Sequence, residues 1–324
     1  MPHPFKLSRI ARRKGLSGLG WVLAAVSFVL VAAPLLDILY TVIRKGLSAL
    51  SFTLFTHVTN GISGGLLNAI TGTLALVFGA LVFAAPVGIL AGIYLSEFGR
   101  GRFGRSVRFL DDVLAGVPSI VLGYFSYVTL VIGMGWQFSV LAGSLTLAIM
   151  VVPYIARFTE ISFLQVPNSL REAGYALGFR ELTVITRIAL PLALPGIMTG
   201  VLFAIAIALG ETAPLIYTAG WSNFLWNGKL IHEPIGYLTY VIWSFINQPY
   251  RSAHALAFAA AFLVIVMVLL VNIGLSIILR LAEDRPWAGS GPTTVGRWRG
   301  RCTLCPPGTP RRTTKKEPLK EHIL

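Results

Sequence analysis

Six apolar runs, near residues 21–43, 66–95, 113–134, 138–156, 196–220 and 255–279, set the frame of this 324-residue chain. Each is close to the about 20 helical residues needed to cross a bilayer core of roughly 30 Å. None alternates as a barrel strand does, and a helix satisfies its own backbone hydrogen bonds in lipid. The sequence therefore predicts an all-α, polytopic membrane protein with six transmembrane helices. A composition of 55% hydrophobic and only 12% charged residues agrees with that class. The first run follows the basic stretch "KLSRIARRKG" but is longer than the apolar part of a secretory signal, which predicts an uncleaved span.

Six spans put both chain ends on one side, together with residues 96–112 and 157–195. Those loops and ends carry 23 of the 27 Lys and Arg, against Arg44, Lys45, Lys229 and Arg251 in the opposite loops. The positive-inside rule makes the crowded side, and both termini, cytoplasmic. The formal net charge of +14 is then mostly a topology signal, and nucleic acid is not an expected partner.

Three regions follow: a basic N-terminal segment (1–20), a six-helix membrane domain (21–282) with a patterned loop at 159–195, and a tail (283–324) rich in Pro, Gly, Lys and Arg. The tail has too little apolar surface to offset its ordering entropy, so it is expected to be disordered. Cys302 and Cys305 form a C-x-x-C pair without further metal ligands or a thioredoxin-like context, and are expected to be reduced thiols with no metal.

The loop between the fourth and fifth runs reads "RFTEISFLQVPNSLREAGYALGFRELTVITRIALPLALPGI". Ser169 and Glu172 have the spacing of a capping box, which predicts a helix from Ser169 to about Gly178. A second helix is expected from about Arg180 to Leu190, with Leu182, Ile185, Ile188 and Leu192 along one stripe and Pro191 at its exit. Two short helices meeting at a glycine make a knob, open to a soluble partner or packed as a plain loop.

The chain has no G-x-x-x-x-G-K-[ST] phosphate loop, no H-E-x-x-H and no G-x-S-x-G. Its five histidines are scattered. An enzyme has little to stand on, no cofactor is expected, and transport is the favoured use of so many spans. Among the ionisable residues of the spans, Arg157 and Glu160 lie near the inner end of the fourth. Glu211, followed by Thr212 and Pro214, lies deep in the fifth. A carboxylate at such depth costs about 2.5–3.5 kcal/mol and normally faces a protein interior or a wet path. Glu211 is thus either part of a pathway or gate, or one end of an interhelical hydrogen bond. Pro214 is expected to leave the helix bent beside it.

The loop resembles the EAA motif of ABC-importer permeases. Glu172-Ala173-Gly174 is followed after three residues by Gly178, and after nine more by Ile188-Ala189-Leu190-Pro191. Gly174 departs from the family's second alanine and is expected to loosen the short helix slightly. The segments "GGLLNAITGTLALV", "PVGILAGIYLSEFG", "LAGVPSIVLGYF" and "GETAPLIYTAG" are together similar to the A-type permease subunit of phosphate-specific importers.

The resemblance implies a type I ABC-importer permease (MetI-like) fold in a bacterial inner membrane. It implies a homologous C-type permease partner, an ABC ATPase dimer that binds and hydrolyses ATP, an extracytoplasmic phosphate-binding protein, and phosphate as substrate. Glu172, Ala173, Gly174, Leu177, Gly178, Ile188, Leu190 and Pro191 are the implied ATPase-coupling residues. Glu211, Thr212, Pro214, Arg157 and Glu160 are the candidates for the translocation path or gate, although Arg157 could equally be a boundary residue. The family commonly has a basic residue four positions before the glutamate, where this chain has Ile207, so a partner for Glu211 must be sought elsewhere. The rival readings are a permease for sulfate or molybdate, the C-type phosphate subunit, a secondary transporter or channel, and a membrane scaffold using the basic tail.

Overall fold

A computed structural model describes the backbone of residues 4–283 and the side chains of residues 17–274, Leu19 excepted, with Ile277. The expectations for the side chains of residues 1–16 and for the tail with Cys302 and Cys305 lie outside the described residues. The chain divides into a body of residues 1–280 and a C-terminal unit of residues 281–324.

In chain order the helices are α1 (Pro4–Ala49), α2 (Phe52–Thr56), α3 (Leu67–Glu97), α4 (Arg102–Gly116), α5 (Ser119–Ser126), α6 (Val140–Leu164) and α7 (Asn168–Ala176). They continue with α8 (Glu181–Val184), α9 (Leu190–Gly210), α10 (Ala213–Thr218), α11 (Leu238–Phe245) and α12 (Arg251–Glu283). Wider π turns prolong α5 through Tyr127–Gly133 and join α8 to α9 through Ile185–Ala189. Between α2 and α3, strands β1 (Thr59–Asn60) and β2 (Ser63–Gly64) form a small antiparallel hairpin.

Among the described residues five helices are long and apolar enough to cross a membrane: Gly20–Ala49, Leu67–Glu97, Val140–Leu164, Glu181–Gly210 and Arg251–Gly274. A sixth crossing exists only if Arg102–Gly116 and Ser119–Gly133, bent by 100° at their junction, count as one. The run at 113–134 is therefore not one straight span. Pro118 has no N–H to continue the ladder and holds Val117 extended, at φ −71° and ψ 128°. The apolar limb begins at Ser119, and α4 lies across it with Phe103, Phe109 and Leu110 exposed.

α6 is the centre of the bundle, packed between α3 and α9. The contact with α3 depends on glycine. A Cβ on Gly88 would meet Ile155 Cβ at 2.7 Å, and one on Gly92 would meet the Ala156 carbonyl oxygen at 2.5 Å. With no hydrophobic force between helices in lipid, such small residues let backbones approach for dispersion contact. Around them Leu76, Ala80, Leu147, Val151, Ile155 and Ala204 form the buried core.

Candidate functional site: two helix breaks and a clamped loop

The fifth apolar run does not bend at Pro214; it breaks. α9 ends at Gly210, and Glu211 leaves the helix at φ −75° and ψ 135°. α10 restarts with Pro214 in its first turn. The cause is local. Pro214 cannot donate to the Gly210 carbonyl and its ring crowds that oxygen, whereas in a first turn the missing N–H is harmless.

A second break, at Val117-Pro118, lies beside the first. A Cβ on Gly123 of α5 would sit 2.5 Å from Pro214 Cα, so α5 and α10 touch backbone to backbone. Across this contact the side chain of Ser119 faces the Glu211 carboxylate as a hydrogen-bond donor. From another direction the Thr239 hydroxyl donates to the Glu211 carbonyl oxygen at 2.7 Å. Among the described residues no Lys, Arg or His ion-pairs with Glu211. The partner sought for Glu211 is a serine from another span. Thr212 and Pro214 are brought to the same break.

Arg157 and Glu160 are not brought there. They lie ten or more residues along α6 from Leu147, which lines a cavity with Glu211, and ten residues of helix are about 15 Å. Glu160 is 3% exposed and accepts from Arg108 Nε at 2.6 Å. Arg157 Nη1 adds a longer contact at 3.3 Å and is otherwise open. Arg108 also donates to the carbonyls of Gly99 (2.8 Å) and Leu95 (2.6 Å), so one guanidinium ties α4 to the last turn of α3 and to α6. Asp111, beside this network on α4, is pushed up to about 6 by burial first, then by the charges of Asp112 and Glu160, with Arg157 opposing. Sequence reasoning missed Arg108: nothing in a lone arginine of an amphipathic stretch names a partner 52 residues on.

The knob is built differently from its expected form at both ends. α7 starts at Asn168 after Pro167, with no side-chain cap, so Ser169 lies within the first turn and the capping box does not form. The proline already supplies a helical φ, and the helix starts before the serine can cap it. The C-terminus of α7, in the middle of the knob, behaves as expected. Gly178 takes φ +77°, Phe179 N–H donates to the Gly174 carbonyl and Gly178 N–H to that of Tyr175, which together make a Schellman ending.

The second short helix does not stop at Pro191. It passes through the π turn of Ile185–Ala189 into α9, as one 30-residue helix from Glu181 to Gly210. The ring of Pro191 would crowd the Arg187 carbonyl in a regular helix, and the wider turn relieves it. The expected stripe divides accordingly: Ile185 is buried, whereas Leu182 and Leu192 are exposed. Gly174 is buried, and a Cβ there would lie 2.7 Å from Ile188 Cδ1, so the departure from alanine makes room for Ile188.

Arg171 clamps the knob to the bundle. Its Nη1 pairs with both carboxylate oxygens of Glu97 at the end of α3, and its Nη2 donates to the Phe163 carbonyl of α6 at 2.8 Å. Glu172, Ala173, Tyr175 and Leu177 face outward, with Leu177 74% exposed. The sequence motif does not disclose this division of labour between Arg171, turned in, and its neighbours, turned out.

A chain of this kind, with a central α3–α6–α9 bundle, an interrupted span and a clamped two-helix loop, has known counterparts. Residues 84–286 match the family described as binding-protein-dependent transport system inner membrane component. The phosphate transport system permease protein PstA 2 of Mycobacterium bovis is 45% identical over 267 residues, covering 82% of this chain and 89% of its own. The phosphate transport system permease protein PstA of Haemophilus influenzae is 42% identical over 255 residues, covering 78% and 89%. Among solved structures, an inward-facing MetNI methionine ABC transporter has TM-score 0.55 at 20% identity, covering 67% of this chain and 94% of that one. A bacterial alginate ABC transporter has TM-score 0.58 at 16% identity, covering 86% and 98%. The chain belongs to the inner membrane components of binding-protein-dependent transport systems, and among them to the PstA permeases.

Proposed function

We propose that this chain is the A-type membrane subunit of an ATP-driven phosphate importer. It pairs with a homologous C-type permease to form the path, receives phosphate from an extracytoplasmic binding protein, and is driven by an ABC ATPase dimer seated on the loop around 169–191. Both termini are cytoplasmic in this reading. The chain itself performs no hydrolysis. The names of its relatives support the substrate, and the observation that carries the coupling is the clamp of Arg171 on α3 and α6 beside an outward-facing Glu172–Leu177 surface.

Force applied to α7 has two routes into the bundle. Through Arg171 it reaches α3 and α6, and through the contact of Gly174 with Ile188 it reaches the helix that begins at Glu181. That helix is a single rod of 30 residues, about 45 Å long, and its far end is the break at Glu211. A push on the knob therefore moves the residue around which α5 and α10 meet.

Glu211 has no cation beside it among the described residues and cannot simply attract an anion. Either it is held as the neutral acid and donates a hydrogen bond, or its carboxylate accepts the proton of HPO4²⁻ or H2PO4⁻. Sulfate at neutral pH has no proton to offer, so the second course would filter anions as well as pass them. The test is phosphate and sulfate uptake by the reconstituted complex with Glu211→Gln and Glu211→Ala. Wild-type uptake in both would remove Glu211 from the path. Sulfate uptake equal to phosphate uptake in the unaltered complex would overturn the substrate.

A further inference from the structure

We infer that Tyr237 is a positioning residue for Glu211, acting through one buried water molecule held between its hydroxyl and the Glu211 carboxylate. This rests on the proposed role of Glu211 only for its effect on uptake; the geometry stands apart from which anion passes.

Tyr237 is 1% exposed and is the largest fully buried side chain among the described residues. Its hydroxyl is buried and has no hydrogen-bond partner among the described residues. Leaving a buried hydroxyl unpaired is costly, and a phenylalanine would pack there without that penalty. Tyr237 and Glu211 line the same small cavity, together with Thr73 and Thr239. It offers about 10 Å³ to the centre of a water molecule, close to the least that one water needs.

A buried water also needs two to four polar partners, and the wall supplies them. The Thr73 hydroxyl donates to the Ala69 carbonyl at 2.7 Å and accepts from Leu238 N–H at 2.9 Å. The Thr239 hydroxyl donates to the Glu211 carbonyl oxygen at 2.7 Å and keeps lone pairs free to accept. Of the polar side chains in the wall, Tyr237 alone is left without a partner. A water that accepts from Tyr237 Oη and donates to Glu211 and Thr239 completes the set.

The backbone makes this bridge directional. Tyr237 is extended, at φ −146° and ψ 153°, and the residues after it are pinned by Leu238 N–H on Thr73 and Thr239 on Glu211. These bonds fix the backbone that carries the ring, and the ring, 1% exposed, is enclosed by its neighbours. Glu211 is then held by Ser119 on one side and by the water on the other, and its carboxylate is fixed in orientation where α9 stops.

The experiment is infrared difference spectroscopy on the purified complex, with the Glu211 band assigned by Glu211→Gln. In Tyr237→Phe the Glu211 band should shift, and the phosphate KM should rise several-fold while the turnover at saturation changes less. An unmoved band, with thermal stability equal to or above that of the unaltered complex, would overturn the inference, because an unpaired hydroxyl is removed without loss. Should Tyr237→Phe fail to accumulate, the unaltered complex decides. A strongly bonded water band that moves in heavy-oxygen water and is displaced in Glu211→Gln supports the bridge, and its absence sinks it. The spectra report on the bridge even if Glu211→Gln transports normally, so the two failures are told apart.

Discussion

Ser119, the first residue of α5, faces the carboxylate of Glu211, the first of the two residues that separate α9 from α10, as a hydrogen-bond donor. Each stands at an interruption made by a proline, Pro118 in one span and Pro214 in the other. Broken helices free backbone groups, and these are tolerated at membrane depth only where protein or a water-lined path covers them. Here the two interruptions cover each other, with Gly123 of α5 against Pro214 and Ser119 facing Glu211.

That bond gives the first prediction. Hydrogen bonds to charged groups contribute about 1.5–3 kcal/mol, and a half-buried one belongs at the low end. Ser119→Ala should lower phosphate uptake by about tenfold or less, whereas Ser119→Thr, which keeps the hydroxyl, should stay near the unaltered rate. Uptake assays in proteoliposomes at fixed ATP check this, and equal loss in both variants would point to packing instead of the hydroxyl.

The second prediction concerns Arg171 and Glu97, whose side chains are 16% and 9% exposed. Removing one partner of a buried pair strands the other and costs about 3–5 kcal/mol. On the proposed coupling, Arg171→Ala should lower the melting temperature of the complex and uncouple it, with the ATPase still co-purifying while uptake falls. Glu172→Lys, on the outward face, should do the reverse and release the ATPase with the fold intact. Size-exclusion profiles and uptake measured on the same preparations separate the two outcomes.

How much of this was legible in the sequence depends on whether the cause is local. The spans follow from apolar length, and the end of α7 follows from Gly178 because the left-handed backbone suits glycine. The breaks were half legible: Pro214 announced a disturbance and Pro118 was passed over inside an apolar run, and a bent helix and two separate helices have the same local chemistry until α5 and α10 are seen to pack against each other. Ser169 and Glu172 had the letters of a capping box, and Pro167 pre-empted them. The pairs Arg108–Glu160, Arg171–Glu97 and Ser119–Glu211 could not be read at all, since each joins elements whose proximity is decided by packing. Arg157 and Glu160 are candidates for the same path as Glu211 at a different depth, and the structure keeps that separation along α6.

Asp111 yields a prediction about pH. Its folded-state value of about 6 lies above the ordinary 3.8, so the folded chain binds a proton more readily than the unfolded chain. The ionised form is therefore a burden on stability that is fully present above pH 6 and relieved as the pH falls toward 4. Asp111→Asn should melt higher than the unaltered protein at pH 7.5, and the difference should shrink on acidification through that window. Melting curves over this range test it; a difference that grows at low pH would reverse the sign.

The last prediction follows from the contact between α3 and α6. A Cβ on Gly92 would lie 2.5 Å from the Ala156 carbonyl oxygen and equally close to Thr159 Cβ, whereas one on Gly116 would meet nothing within 4 Å. Helix propensity favours alanine over glycine by about 1 kcal/mol at an interior position, so that term alone would make Gly92→Ala stabilising. The clash is with backbone, which cannot rotate away, and overpacking of this kind costs about 1–3 kcal/mol. The two terms oppose each other, and the steric one wins at Gly92. Gly92→Ala should lower the melting temperature while Gly116→Ala leaves it level or raises it. Thr159 is buried with its hydroxyl unpaired, so Thr159→Gly, which removes the Cβ and Cγ2 that make the side-chain half of the clash, should recover part of the loss in the double variant when it is compared with Thr159→Gly alone. No recovery would mean that the Ala156 carbonyl alone sets the distance between α3 and α6.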